Sequence, residues 1–287
     1  MEKRRYYSKL NEERARLIKK LEEKAKEIRY KTVCLAYKAG KAHTGPSLST
    51  TDILVALYYY KMNINPKNPK WVERDKFILS KGHGCVSLYV ILAELGYYPA
   101  EDNLKLRKVD GIVQGHPDMT KTPGIEFTTG SLGNGIGAAV GMAIAAKIDK
   151  LKSKVYVLLG DGEIQEGIVW EAVASAKHYK LDNLIAIVDN NNFQSCGALP
   201  DICDFYPFRE KWQSFGWNVI EIDGHDFNEI LPALDLAERS KNPCVIIAKT
   251  IKGKGVSFME NNNAWHQKTY TKEEYEQACL ELSLLRR

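Results

Sequence analysis

The chain has 287 residues, 44% hydrophobic, 10% aromatic and 27% charged, enough to bury a large core and incompatible with a disordered tail, a linker or a fibre. No apolar run approaches the ~20 residues that cross a bilayer, and the longest mild stretch, Ile136 to Ala146, contains Gly137 and Gly141, so a membrane span is excluded as an expectation. The net charge of +5 is local: residues 1–31 hold twelve Lys/Arg against six Glu, a net of +6, so the remainder sums to −1, and no docking motif or base-stacking pattern points to nucleic acid.

In chain order, Leu10, Leu17, Leu21, Ile28 and Leu35 form an apolar stripe on a helix that starts near Ser8, within a charged amphipathic helical segment over residues 1–38. Glu12 with Arg16, Glu22 with Lys26 and Glu27 with Lys31 are favourable i,i+4 pairs. Packing on its own domain is preferred to a free coiled coil. Gly40 ends the pattern, and a second helix is predicted over Thr50–Lys61, with Ser49 or Thr50 as N-cap and Asp52 in the first turn. Lys76–Leu79, Val155–Leu159, Leu184–Val188, Val219–Ile222 and Val245–Ala248 read as strands, several of them unbroken apolar runs as buried parallel strands require. Helices fit at about 137–148, 166–179, 207–215 and 226–239. The alternation predicts one α/β domain over 1–287 with a doubly wound, mainly parallel sheet, and places chemistry in the turns after the strands. The six cysteines show no CxxC pair and no zinc spacing, so reduced thiols are expected. The charged first residues lack a secretory core, so a cytoplasmic location is expected.

Two of those turns carry oxygen ligands. One strand runs into Gly160-Asp161-Gly162-Glu163, and the next ends in Asp189-Asn190-Asn191-Asn192, with 30 positions between Asp161 and Asn191. Asp161 and Asn191 suit a hard divalent ion that shares phosphate oxygens. Gly162 lets the backbone approach a diphosphate at a helix N-terminus. A competing reading takes Gly133, Gly135 and Ala138 as a nicotinamide-type GxGxxA with Asp161 as the ribose acid. It places the acid late, 28 positions beyond Gly133, and leaves the histidines unused.

The GDG and NN pair resembles the thiamin diphosphate fingerprint, and the likeness extends to KAHTGPSLS at 41–49, LSKGH at 79–83, QGHPD at 114–118, TTGSLGNG at 128–135, GDGEIQEG at 160–167 and AWH at 264–266. Together these resemble the amino-terminal part of transketolase, in order across residues 30–270. The resemblance implies the diphosphate-binding thiamin diphosphate fold. It assigns His43, His83, His116 and His266 to substrate and acid–base work, which suits an imidazole near neutral pH. It assigns His83, Gly130, Leu132, Asp161, Gly162, Glu163, Asn191 and His266 to the cofactor. Asp161, Asn191 and the carbonyl of Phe193 become metal ligands for Mg²⁺, or Ca²⁺ or Mn²⁺. Glu166 and Glu171 match acids that link paired active sites in the family, while His178 and His225 read as structural. Ala42, Pro46 and Gln267 depart from the small residues frequent at those positions in the family.

The resemblance also implies an absence. The chain ends 21 residues after His266, leaving no room for the pyrimidine-binding domain and its activating glutamate. An amino-terminal subunit of a split transketolase is therefore expected, inactive until it joins a carboxy-terminal partner, in an α2β2 assembly that acts on sugars or sugar phosphates. The alternatives are a deoxyxylulose phosphate synthase-like enzyme, the α subunit of a decarboxylating dehydrogenase, or a regulatory subunit without catalytic function.

Overall fold

A computed structural model describes the backbone of residues 2–284 and the side chains of residues 12–283. The chain opens with the long helix α1 (Glu2–Ala39), six residues earlier than Ser8, because residues 2–7 are mostly good helix formers. Gly40, at φ +86, ends it as a left-handed cap. Along the expected stripe, Leu21, Ile28 and Leu35 are buried, so the helix packs on its own domain; Leu10 lies outside the described side chains. Lys31 pairs with Glu27 at 2.6 Å, whereas Arg16 and Glu12 stand 3.9 Å apart on the surface.

After β1 (Lys41–Ala42), the second helix starts before its expected cap, as α2 (Thr44–Ser49) and α3 (Thr51–Ala56), and ends in a wider π turn over Leu57–Lys61. Pro46 is tolerated because it sits in the first turn, where its missing N–H costs nothing. Thr50 is the N-cap position of α3, as expected, but its hydroxyl donates back to the Ser47 carbonyl at 3.2 Å instead of capping the helix. Asp52 lies in the first turn of α3, as expected, and is buried there against Arg29 and His225.

The central sheet contains β2 (Lys76–Leu79), β3 (Val155–Gly160), β4 (Leu184–Asn190), β7 (Asn218–Asp223) and β8 (Cys244–Lys249), in the order β2-β3-β4-β8-β7 with every pair parallel. All five expected strands are present. Between them run α4 (Cys85–Glu94), α5 (Asn134–Ile148), α6 (Gly167–His178), α8 (Phe208–Ser214) and α9 (Phe227–Glu238). The short pair β5 (Phe193–Gln194) and β6 (Gly197–Ala198) precedes α7 (Leu199–Ile202), and β9 (Lys268–Thr269) pairs with β1 before α10 (Lys272–Leu284).

Side-chain parity builds two cores. Phe77, Leu79, Tyr156, Leu158, Ile185 and Ile187 face α1, α3, α4 and α9. Ile78, Val155, Val157, Leu159, Ala186 and Val188 face α5, α6 and α8. Burial on both faces is why these strands are continuous apolar runs in the sequence. The sequence pattern overlooked α4 for a related reason: CVSLYVILA is buried at every position, so it has no polar face to mark a helical period. It also overlooked α10, which is mostly polar. Among the described residues no helix is long and apolar enough to cross a membrane.

Ile28, fully buried on α1, gives a test of this packing. Ile28→Ala should lower unfolding free energy by about 2–5 kcal/mol in urea titrations. Neutralising exposed Lys19 and Lys20 should change it by less than about 0.5 kcal/mol. Equal effects from the two changes would show that the helix is not held by its apolar stripe.

Candidate active site

Parallel pairing sets Gly160 opposite Asp189, so the turns that leave β3 and β4 begin side by side. They open on a cleft of about 300 Å³. All eleven residues expected in a site line it: His43, His83, His116, Gly130, Leu132, Asp161, Gly162, Glu163, Asn191, Phe193 and His266. Glu166 reaches its edge. Glu171 is exposed on α6, and His178, the last residue of that helix, is exposed against Tyr179.

Asp161 is buried, and its oxygens accept from the backbone N–H of Gly162 at 2.8 Å and of Asn192 at 2.6 Å. Burial and the nearby charge of Asp189 push its carboxyl up to about 7. Asn191 donates its amide to Asp189 at 2.9 Å, and its oxygen accepts from the Phe193 N–H at 3.1 Å. Gly162 is required by space, since a Cβ there would lie 2.8 Å from Gln194 Cβ. Glu163 is different in kind. Its oxygens accept from Gly133 N–H at 2.8 Å, Gly160 N–H at 2.9 Å and the Ser80 hydroxyl, so its carboxylate ties three cleft-forming turns together.

The four histidines come from four separate segments and converge. The ring of His43 lies 5.3 Å from His83, 6.0 Å from His116 and 5.4 Å from His266, and His83 lies 5.1 Å from His266. Burial, then the charges of neighbours, holds His43 down to about 4 and His266 down to about 3. His83 and His116 are lowered too, mainly by burial. At neutral pH all four are uncharged imidazoles. His266 Nδ1 is buried and has no hydrogen-bond partner among the described residues.

Two lysines were not singled out in the sequence. Lys81, 2% exposed, donates to Asp189 and to the Pro46 carbonyl at 3.2 Å. Lys252, 1% exposed, donates to Asn263 at 2.6 Å, and burial followed by repulsion from Lys81 lowers it to about 8. The signal was present, since they follow the carboxyl ends of β2 and β8, where α/β sheets bind ligands. Lysine is so often a surface residue that neither stood out. The nicotinamide-type reading is not supported by the fold. The Gly133–Ala138 segment follows a long loop and not a strand, and a Cβ on Gly135 would meet Ser80 Oγ at 2.4 Å.

An α/β domain with oxygen ligands and buried cations at adjacent strand ends is built to hold a diphosphate-bearing cofactor. Residues 21–283 match the family described as transketolase, thiamine diphosphate binding domain, and the chain belongs to the transketolase family. It is 44% identical over 263 residues to the 6-deoxy-6-sulfo-D-fructose transketolase subunit SqwG of Clostridium sp., covering 91% of this chain and 96% of that one. It is 45% identical to an apulose-4-phosphate transketolase subunit of Actinobacillus succinogenes, over 91% and 95% of the two chains. The crystal structure of Campylobacter jejuni transketolase superposes with a TM-score of 0.87 at 36% identity, over 92% of this chain and 42% of that one. The expectation of a transferase component, the amino-terminal subunit of a transketolase, is met.

The lowered histidines have a consequence for stability. An unfolded His43 or His266 takes up its proton near the ordinary value of 6.5, the folded one only near 4 or 3, so the unfolded state binds more protons as pH falls between these limits. Stability should therefore be full above pH 6.5 and fall toward pH 4. Thermal melts of His43→Gln and His266→Gln should show a shallower acid decline than the wild type, and parallel declines would contradict the burial argument.

Proposed function

We propose that this chain, as one domain over residues 1–287, joins a partner subunit carrying a pyrimidine-binding domain and an activating glutamate. Together they transfer a two-carbon ketol unit from a ketose to an aldose acceptor, as an α2β2 assembly in the cytoplasm. The observation that carries the reading is the convergence of four neutral imidazoles over a cleft that holds Asp161, Asn191 and Lys252. A purely regulatory cofactor binder has no use for four such rings facing one space.

The residues fit the cofactor and its metal. A buried carboxylate surrounded by backbone N–H groups suits a divalent cation, and a buried ammonium in the same cleft suits a diphosphate. Asp161, Asn191 and the Phe193 carbonyl would hold Mg²⁺, or Ca²⁺ or Mn²⁺, while Gly130, Leu132, Gly162 and His83 would border thiamin diphosphate, with Glu163 bracing their turns. Lys252 would offset part of the diphosphate charge, while Lys81 is paired with Asp189. When bound, thiamin diphosphate furnishes the nucleophilic carbon that carries the two-carbon unit. The protein's part is acid–base. An uncharged imidazole accepts a proton from a sugar hydroxyl at one ring nitrogen and returns it, the role proposed for His43, His116 and His266. Substrates are sugars or sugar phosphates; two similar proteins are named for 6-deoxy-6-sulfo-D-fructose and apulose-4-phosphate.

Purified alone, the chain should show no ketol transfer, and mixing with its partner should restore turnover; robust activity without a partner would refute the split assembly. In the complex, Asp161→Ala should abolish metal-dependent binding of thiamin diphosphate by calorimetry, and Asn191→Ala should weaken it less, because a neutral ligand is lost.

Steady-state kinetics separate the histidines. His116→Ala should lose roughly 10²- to 10⁴-fold in kcat/KM at nearly constant cofactor affinity, as expected for a proton-transfer group. The exposed His178→Ala should leave turnover unchanged. Loss of cofactor binding in His116→Ala would move that residue out of the substrate channel.

A further inference from the structure

His225 is the one histidine that neither lines the cleft nor lies open to solvent, and its ring is engaged at both nitrogens. Nδ1 lies 2.7 Å from Asp52 Oδ2, and Nε2 lies 2.9 Å from the backbone nitrogen of Ile251. A peptide N–H can only donate, so Nε2 is bare, the proton sits on Nδ1, and the ring donates to Asp52. Asp52 is in turn held by Arg29, with Nη1 to Oδ1 at 3.0 Å and a second contact from Nη2 to Oδ2. Arg29 and Asp52 are buried on α1 and α3, inside the larger core. The relay therefore runs from the most firmly packed part of the molecule to the residue immediately before Lys252.

The place of this contact explains the need for it. On one side, pairing with β4 continues past the end of β8, where Thr250 N–H donates to Asn190 at 3.0 Å. On the other side β7 stops at Asp223, opposite Lys249, and the chain turns through Gly224 into His225. The Ile251 N–H has no strand carbonyl left to meet, and the His225 ring accepts it instead. Gly224 permits the close approach, since a Cβ there would lie 2.5 Å from Thr250 Cγ2. Beyond Ile251 the arm carries Lys252 and then His266 into the cleft.

We infer that His225 is a positioning residue for the active site: it fixes the start of the 250–266 arm and so aims Lys252 at the cofactor's anionic group. This rests on the cofactor reading of Lys252. A bare structural contact and a positioning tether make different predictions for the conservative variant, because the glutamine side chain places an oxygen near the position of Nε2 and accepts the same N–H, whereas alanine leaves that buried donor unpaired.

The test has two readouts on the full chain. Hydrogen–deuterium exchange at residues 250–254 reports the tether alone, and should be faster in His225→Ala and near wild type in His225→Gln. Titration with thiamin diphosphate at saturating Mg²⁺, in the complex with the partner subunit, reports the site. Half-saturation should rise about tenfold in His225→Ala, the scale of one buried unpaired donor, and recover in His225→Gln. Because the effect passes through Lys252, the double variant with Lys252→Ala should bind no more weakly than Lys252→Ala alone. Unchanged exchange in His225→Ala, equal losses in the two His225 variants, or additive losses in the double variant would each overturn the inference. Unchanged half-saturation in Lys252→Ala would refute the cofactor role of that lysine and the positioning role with it, while the exchange data would still judge the tether.

Discussion

The site is organised around a single buried carboxylate. Asp189, fully inaccessible at the end of β4, accepts hydrogen bonds from Lys81, Ser49 at 2.7 Å, Asn191 at 2.9 Å and Thr250. Burial alone would favour its neutral form, but the Lys81 ammonium and these donors outweigh that cost and hold it below the usual carboxylate range. Each donor belongs to a different segment: the turn after β2, helix α2, the turn after β4 and the turn after β8. One charge therefore aligns the four walls of the cleft. Loss of Lys81 would leave an uncompensated charge in the core, a strongly destabilising change for a buried pair.

Glu163 does similar work, joining the Ser80, Gly133 and Gly160 turns. Between these two anchors lie the groups open to ligand. On the proposed reading, metal and diphosphate would be met by residues on turns that internal hydrogen bonds already fix, leaving little ordering to occur on binding. The histidines complete the picture from segments that share no strand. Their lowered basicity follows chiefly from burial, so proton acceptors are gathered within one small volume.

The legibility of the sequence followed burial. Strands buried on both faces are unbroken apolar runs and were recognised at nearly their true limits, while α4, equally buried, looked like nothing because a helix without a polar face has no period. The α2 start was hidden by Gly45-Pro46, which reads as a turn until the helix is seen to begin at Thr44. Within the site, short polar motifs were legible because aspartate, asparagine and histidine are conspicuous after apolar strands. Lys81, Lys252 and Asp189 were not, because their significance depends on being buried beside one another, a three-dimensional fact. His225 reads as structural in the sequence, and nothing there hints at its link to Ile251, which spans 26 positions and passes over helix α9 and strand β8.

An all-parallel sheet is a polar object, and its consequence here is mechanical as much as chemical. The turns that carry Lys81, Asp161, Asn191 and Lys252 all leave carboxyl ends, and the amino ends of the five strands form a separate rim that contributes nothing to the cleft lining. That rim is entered through the exposed residues Lys150 and Lys180, both in left-handed backbone conformations before β3 and β4. Surface turns of this kind accept attachments readily. They give the molecule a handle: a place to tether it to a support, or to carry a fluorescent label, on the side facing away from its chemistry.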